Sequence, residues 1–391
     1  MTPTNSAMTG AAKARKYVLS IDGSGFRGFA CLVTLHHLMR ELTADPDVDP
    51  VPLPCEVFDL ICGTSTGGLI AVLLGRFGLD CMKAMSIYKE LGTSLFGAVG
   101  GKGWDSIVEA GGLSPNAFEE KLASIVKKYT GEEDTPMRVR KASPDKVVHK
   151  STETFVTAVH SAAGAAGSEP YRLRSYTTPP DGVDSLPDHD WTIFQVVRAA
   201  TALPTYLKPF SVGSQPFQDA ATSGAANPVR EALSEVTLRW SNKVEPVIVS
   251  LGTGLVSLFP VNSSREEEPS ERHRPIFNKL LKVLKLKTQK TKTWSDEFAK
   301  QLVRVAQDTE LVHQDAMKLF IQRRLPDNYF RFNPTAGLGD IDISDVTQIP
   351  KILALTNVWL VSPEGSGQTL RACEALKVNA IAPFLTIQMR C

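Results

Sequence analysis

The chain has 391 residues, with 43 basic against 42 acidic side chains and a formal charge of +1. That balance excludes nucleic-acid binding driven by bulk charge, because no basic excess exists to neutralise phosphates. Apolar residues make up 42% and charged residues 22%, which excludes wholesale disorder and leaves enough for a large core.

Lys16–Ile21 reads as a short buried strand running into a glycine-rich turn, Asp22-Gly-Ser-Gly-Phe-Arg-Gly28. Leu32, Leu35, Leu38, Met39 and Leu42 follow at spacings of three and four, the period of an amphipathic helix. Asp45 to Pro54, rich in Pro and Asp, predicts a loop. Val57–Cys62 predicts a second strand, again feeding a glycine turn and then a helix over Thr66–Leu79. Gly92 to Gly112 reads as glycine-rich loop, Asn116–Tyr129 as helix, and Ser161–Gly167 as a linker of small residues. Val247–Leu251 is another strand, ending in Gly252-Thr-Gly254. Ser295–Gln322 is helical in pattern, and the remainder to Val378 mixes short strands with a final helix. Strand–turn–helix units of this kind predict an α/β fold with a largely parallel sheet, whose functional loops gather at the carboxyl ends of the strands. The expected organisation is a polar leader over 1–16 and one domain over 17–385, interrupted by a charged insertion at about 259–294.

The six cysteines, at 31, 55, 62, 81, 373 and 391, include no C-x-x-C pair and read as free thiols of a reducing compartment. The leader carries no apolar h-region, and the longest aliphatic run, Leu69–Leu74, is far short of the ~20 residues that cross a bilayer. The expected setting is cytoplasmic.

Gly63-Thr-Ser65-Thr-Gly67 fits G-x-S-x-G, the nucleophile elbow, in which a serine sits on a sharp strand-to-helix turn and small flanking residues make room for it. None of the seven histidines (36, 37, 149, 160, 189, 273, 313) reads as presented by a turn after a strand. Asp219, in Phe217-Gln-Asp-Ala-Ala221 ahead of the helix-starting pair Asn227-Pro228, is the better candidate base. An aspartate can serve if it touches the hydroxyl and is desolvated enough to raise its proton affinity. Gly23, Ser24 and Gly25 offer backbone N–H groups at a helix start, suited to an oxyanion. The same turn, with Gly23, Gly25 and Gly28 at G-x-G-x-x-G spacing, could cradle a dinucleotide phosphate. That reading needs an acidic residue ~20 positions on at a strand end, and Glu41 falls inside the helix pattern instead.

Taken together, these segments resemble the patatin-like phospholipase family. Asp22–Gly28 is similar to its D-G-G-G-x-R-G loop, Phe58–Gly68 to its F-D-x-I-x-G-T-S-x-G-G elbow, and Arg198–Tyr206 to its R-A-T-S-A-A-P-T-Y segment. Ser250–Gly254 resembles its S-L-G-T-G strand end, and Asp219-Ala-Ala221 stands where the family has D-G-[GA]. Tyr329-Phe-Arg-Phe-Asn333 and Gly337–Asp340 resemble a pattern of fungal-type members, and the likeness runs in family order over about residues 17–378. The resemblance implies a three-layer patatin-like fold with a central, mostly parallel sheet. It implies a Ser65–Asp219 dyad with Gly23, Ser24 and Gly25 as oxyanion hole, without metal, cofactor or histidine. Arg27 matches the loop arginine, expected to position the loop or attract an anionic head group; Arg198 and Asn227 match motif positions of scaffold character. Ser24 and Ala220 replace family glycines: a serine keeps its N–H, while an alanine costs about 1 kcal/mol if the position needs a positive φ.

The implied activity is acyl-ester hydrolysis of phospholipids or related lipids through an acyl-serine. The alternatives are acyl transfer or ester hydrolysis on a non-phospholipid of small-molecule biosynthesis, and a silent lipid-binding module. Between Arg272 and Lys292 lie eight basic residues and no acid, with Ile276, Phe277, Leu280, Leu281, Val283 and Leu284 on one helical face. That segment reads either as a peripheral contact with anionic membrane or as a helix covering the core, with a lid over the active site and a mobile, partly disordered loop as the further alternatives.

Overall fold

The computed structural model of the protein describes residues 13–43, 51–97, 114–139, 151–161, 169–177, 190–204, 206–255, 309–335, 337–339 and 341–388. The expected insertion at 259–294, the basic segment 272–292 and most of the linker 161–167 lie outside these residues.

Among the described residues eight strands form one sheet: β1 (Ala14–Ile21), β2 (Leu60–Thr64), β3 (Glu153–His160), β4 (Tyr171–Arg174), β5 (Phe210–Val212), β6 (Gln215–Asp219), β7 (Val244–Leu251) and β8 (Tyr329–Phe332). Their order is β5-β6-β3-β2-β1-β7-β8, with β4 paired to β3. The ladders from β3 through β8 are parallel, and those of β4, β5 and β6 are antiparallel.

Alternation along the strands feeds two cores. Leu19, Ile21, Ile61 and Val249 enter the larger cluster, beneath α1 (Phe29–Glu41), while Val18, Leu60, Cys62 and Ile248 point to the opposite face. The second face is covered by Val229, Ala232 and Val236, and by Val312, Ala316 and Phe320 of a helix over 309–322. Helices therefore flank both faces of a mostly parallel sheet, the three-layer α/β architecture the sequence implies.

Several boundaries differ from the sequence reading. Residues 54–57 open a short helix, α2 (Pro54–Val57), so β2 starts at Leu60 rather than Val57. The Glu56 carboxylate accepts from the Leu53 amide at 2.8 Å, and Pro54 suits a first helical turn. The helix after β2, α3 (Thr66–Ala71), passes into a π-helical turn over Val72–Arg76 and stops short of Leu79. Gly92 lies inside α4 (Cys81–Phe96), not in a loop. The helix α5 (Asn116–Thr130) is where it is expected. The carboxyl terminus holds a helical hairpin rather than a single helix: α9 (Ile349–Leu360) and α10 (Pro363–Gln388) follow α6 (Ile193–Ala200), α7 (Val229–Trp240) and α8, the helix at 309–322.

Candidate active site

Ser65 stands between β2 and α3 with φ +55° and ψ −129°, a conformation L-residues rarely adopt. The packing explains why the turn is so sharp. A Cβ on Gly63 would lie 2.1 Å from the Gly67 carbonyl oxygen, and one on Gly67 would lie 2.4 Å from that of Ile21. Only glycine at both positions lets the strand double back onto the helix. Thr64 secures the turn from below, its hydroxyl reaching the Ala225 carbonyl and the Thr157 hydroxyl, each at 2.7 Å.

Asp219 ends β6, two strands from the elbow, and is fully buried. One carboxylate oxygen, Oδ1, accepts from the Ala221 amide at 2.9 Å. The other, Oδ2, is buried and makes no hydrogen bond of ordinary length. The Ser65 hydroxyl is nonetheless near enough to favour the charged form. Burial outweighs both that hydroxyl and the Ala221 amide, which also favours the charged form, and leaves the carboxyl pushed up to about 7. A free buried oxygen beside a serine, on a carboxyl ionising near neutrality, is what a direct base needs. Ala220 begins a 3-10 turn and is not among the residues of positive φ, so alanine there carries no strain. Among the described residues no histidine contributes to the Asp219 environment. His160 does end a strand, contrary to expectation, but packs edge-on against Phe217. His313 meets the Tyr329 hydroxyl at 3.1 Å.

The loop after β1 crosses directly over Ser65. A Cβ on Gly23 would stand 2.6 Å from the Ser65 Cβ, so glycine is required for that approach. The Gly23 amide donates to the Ala226 carbonyl at 2.9 Å. The Ser24 and Gly25 amides have no partner among the described residues, and neither does that of Thr66, which as first residue of α3 lacks an intrahelical acceptor. Arg27 is buried; its guanidinium donates to the Ser24 hydroxyl and to the Gly339 carbonyl, which makes it a brace of the loop.

Two partners of this loop were not singled out as site residues by the sequence. Arg331 on β8 grips Asp22 bidentately at 2.9 and 2.6 Å and reaches the Ser250 hydroxyl at 2.9 Å. Burial opposes both charges; the Asp22 carboxylate outweighs it at Arg331 and holds that guanidinium above its usual range. Tyr88 of α4 donates to the Gly25 carbonyl at 2.6 Å. Arg331 sits inside the Tyr329–Asn333 segment, so the sequence points at it without naming its partner.

From Ser65 a narrow cavity of about 50 Å³ runs between α4, α5 and the loop after α6. Phe26, Leu69, Tyr88, Leu91, Leu95, Phe96, Phe118, Leu203, Leu207 and Ile343 give it an almost wholly apolar lining, and Gly25, Ser65 and Thr66 stand at its reactive end. A narrow apolar cleft meeting a serine hydroxyl and unpaired amides suits an acyl chain whose carbonyl lies at Ser65. Arg198 takes no part: it pairs with Glu119 at 2.7 Å and stacks on Phe210. The Asn227 side chain accepts from the Val229 amide at 3.1 Å at the start of α7. Among the described residues no cluster could hold a metal ion.

The family model for patatin-like phospholipases matches residues 19–233, which include the elbow, the glycine loop and Asp219. The chain belongs to the patatin-like phospholipase family. It is 27% identical over 328 residues to human calcium-independent phospholipase A2-gamma, covering 81% of this chain and 34% of that protein. It is 26% identical over 289 residues to phospholipase A I of Arabidopsis thaliana, covering 61% of this chain and 21% of that protein. It is also 27% identical over 263 residues to a probable inactive patatin-like protein 9 of the same plant, covering 61% of this chain and 60% of that protein. The chain thus spans about a third or less of the two phospholipases it matches.

Proposed function

We propose that this protein hydrolyses carboxylic esters of phospholipids or related lipids through a Ser65–Asp219 dyad. The observation that carries the reading is the unpaired, buried Asp219 Oδ2 beside a strained serine at the mouth of a narrow apolar cavity. Asp219 takes the Ser65 proton as Oγ attacks the ester carbonyl. The oxyanion meets the Ser24 and Gly25 amides, with Gly23 supplying clearance and Thr66 a further amide. Collapse breaks the ester C–O bond, the leaving alcohol takes the proton from Asp219, and the acyl group stays on Ser65. Water then attacks the acyl-serine with Asp219 again accepting the proton, and the fatty acid leaves.

The apolar lining beside Ser65 favours an acyl chain there, which supports phospholipase A or lysophospholipase chemistry, and the YFRF segment favours a fungal-type member. The reading includes action in the cytoplasm at a membrane surface; no described helix is long and apolar enough to cross a membrane. The test is fatty-acid release from phosphatidylcholine vesicles and from lysophosphatidylcholine, in chelator, by the wild type and by Ser65→Ala. Release by the wild type alone is expected. Labelling of Ser65 by a fluorophosphonate without release from any lipid would favour an acyltransferase or an esterase for another substrate. Neither labelling nor release would favour a silent lipid-binding protein.

A further inference from the structure

We propose that Tyr88 is a positioning residue of the oxyanion loop, acting from the wall of the acyl cavity; the proposal rests on the hydrolase reading above. Tyr88 is buried in the middle of α4, and its ring lines the cavity and stacks on Phe26 with centroids 5.9 Å apart. A phenylalanine would serve such a wall equally well, since a hydroxyl buried among apolar side chains costs free energy unless it is hydrogen-bonded. Here the hydroxyl is used. It donates to the Gly25 carbonyl at 2.6 Å, and the Thr66 hydroxyl donates to the same oxygen at 3.1 Å. Burial pushes the phenol's ionisation well up, so it stays a donor at any working pH.

The Phe26 amide, at the other end of that peptide, donates to the Ile343 carbonyl at 2.7 Å. The Gly25–Phe26 peptide plane is therefore held at both ends. Gly25 has φ +55° and no side chain to restrain it. The fixed plane is what sets the direction of the preceding peptide, whose N–H is the unpaired Gly25 amide. A Cβ on Gly25 would also meet the Ile343 carbonyl oxygen at 2.6 Å, so the loop cannot recruit a bulkier residue to do this work. Removing the Tyr88 hydroxyl leaves the Thr66 hydrogen bond and the ring packing in place, which keeps the fold while loosening one donor.

The experiment is steady-state kinetics of wild type, Tyr88→Phe and Thr66→Val on p-nitrophenyl butyrate and p-nitrophenyl decanoate, with melting temperatures. Losing an oxyanion donor costs about 100- to 1,000-fold in kcat, and a misdirected donor costs less. Tyr88→Phe should lower kcat by about 10- to 100-fold on both esters, with KM within about two-fold and melting little changed. Fluorophosphonate labelling of Ser65 should slow in parallel, because the phosphonyl oxygen occupies the same hole. Thr66→Val should act in the same direction by a smaller factor, and it decides the matter if Tyr88→Phe does not fold. An unchanged kcat, or a raised KM at constant kcat, would make Tyr88 a wall residue only and overturn the proposal while leaving the hydrolase intact. A wild type that neither turns over nor is labelled would overturn both.

Discussion

Asp219→Asn should separate stability from activity in opposite directions. The folded carboxyl ionises at about 7, while the unfolded chain releases the same proton near the ordinary aspartate value of about 3.9. Between these values the native state binds more protons than the unfolded state, so stability falls as pH rises from about 4 to 7 and levels off above. At about 1.4 kcal/mol per pH unit, burying this carboxylate costs the folded protein on the order of 4 kcal/mol at pH 8. Asparagine carries no charge to bury, retains the Oδ1 acceptor for the Ala221 amide, and can turn its NH₂ toward Ser65. Urea unfolding at pH 5 and pH 8 should find the advantage of Asn over wild type larger at pH 8 by about 3 kcal/mol. Turnover should fall by about 10²–10⁴-fold. A stability difference that is the same at both pH values, or an Asn protein weaker at pH 8, would refute a raised carboxyl at this position.

Three further outcomes follow from the same geometry. The rate constant kcat/KM should rise with unit slope below about pH 7 and level above it, since only ionised Asp219 accepts the proton; a plateau extending below pH 5 would contradict this. Gly92→Ala places a Cβ 2.2 Å from Phe26 Cε2, so the ring must move into the cavity. Overpacking costs about 1–3 kcal/mol against about 1 kcal/mol gained in helix propensity, and decanoyl esters should lose about ten-fold or more relative to acetyl esters in a chain-length series. Arg331→Met leaves Asp22 buried without its partner and should cost about 3–5 kcal/mol by urea unfolding, with Asp22→Asn added to it restoring part of the loss.

The elbow was legible because its causes are local: Gly63, Ser65 and Gly67 lie within five residues, and the steric need for both glycines acts inside that turn. Asp219 was legible through its motif, but its burial and its unpaired oxygen depend on Ser65, Ala221 and the sheet around them. Arg331 meets Asp22 across 309 positions, and Tyr88 meets Gly25 across 63, separations over which no periodicity or spacing carries information. Gly92 misled for a physical reason: glycine reads as a helix breaker, yet here the helix tolerates it because Phe26 occupies the space of its side chain. The sequence pattern starts β2 too early because Val57 and Phe58 are apolar and β-prone, whereas Pro54 and Glu56 commit residues 54–57 to a helical turn. Arg27 matched its motif, but only the structure places its guanidinium on Ser24 and Gly339, inside the protein.

The central claim is that Ser65 is the nucleophile and Asp219 its base. Intact-protein and peptide mass spectrometry after a fluorophosphonate probe tests it most directly, on wild type, Ser65→Ala and Asp219→Asn. One phosphonyl adduct on the peptide containing Ser65 is expected in the wild type, none in Ser65→Ala, and a much slower one in Asp219→Asn. An adduct on another residue, or labelling of Asp219→Asn at the wild-type rate, would contradict the dyad.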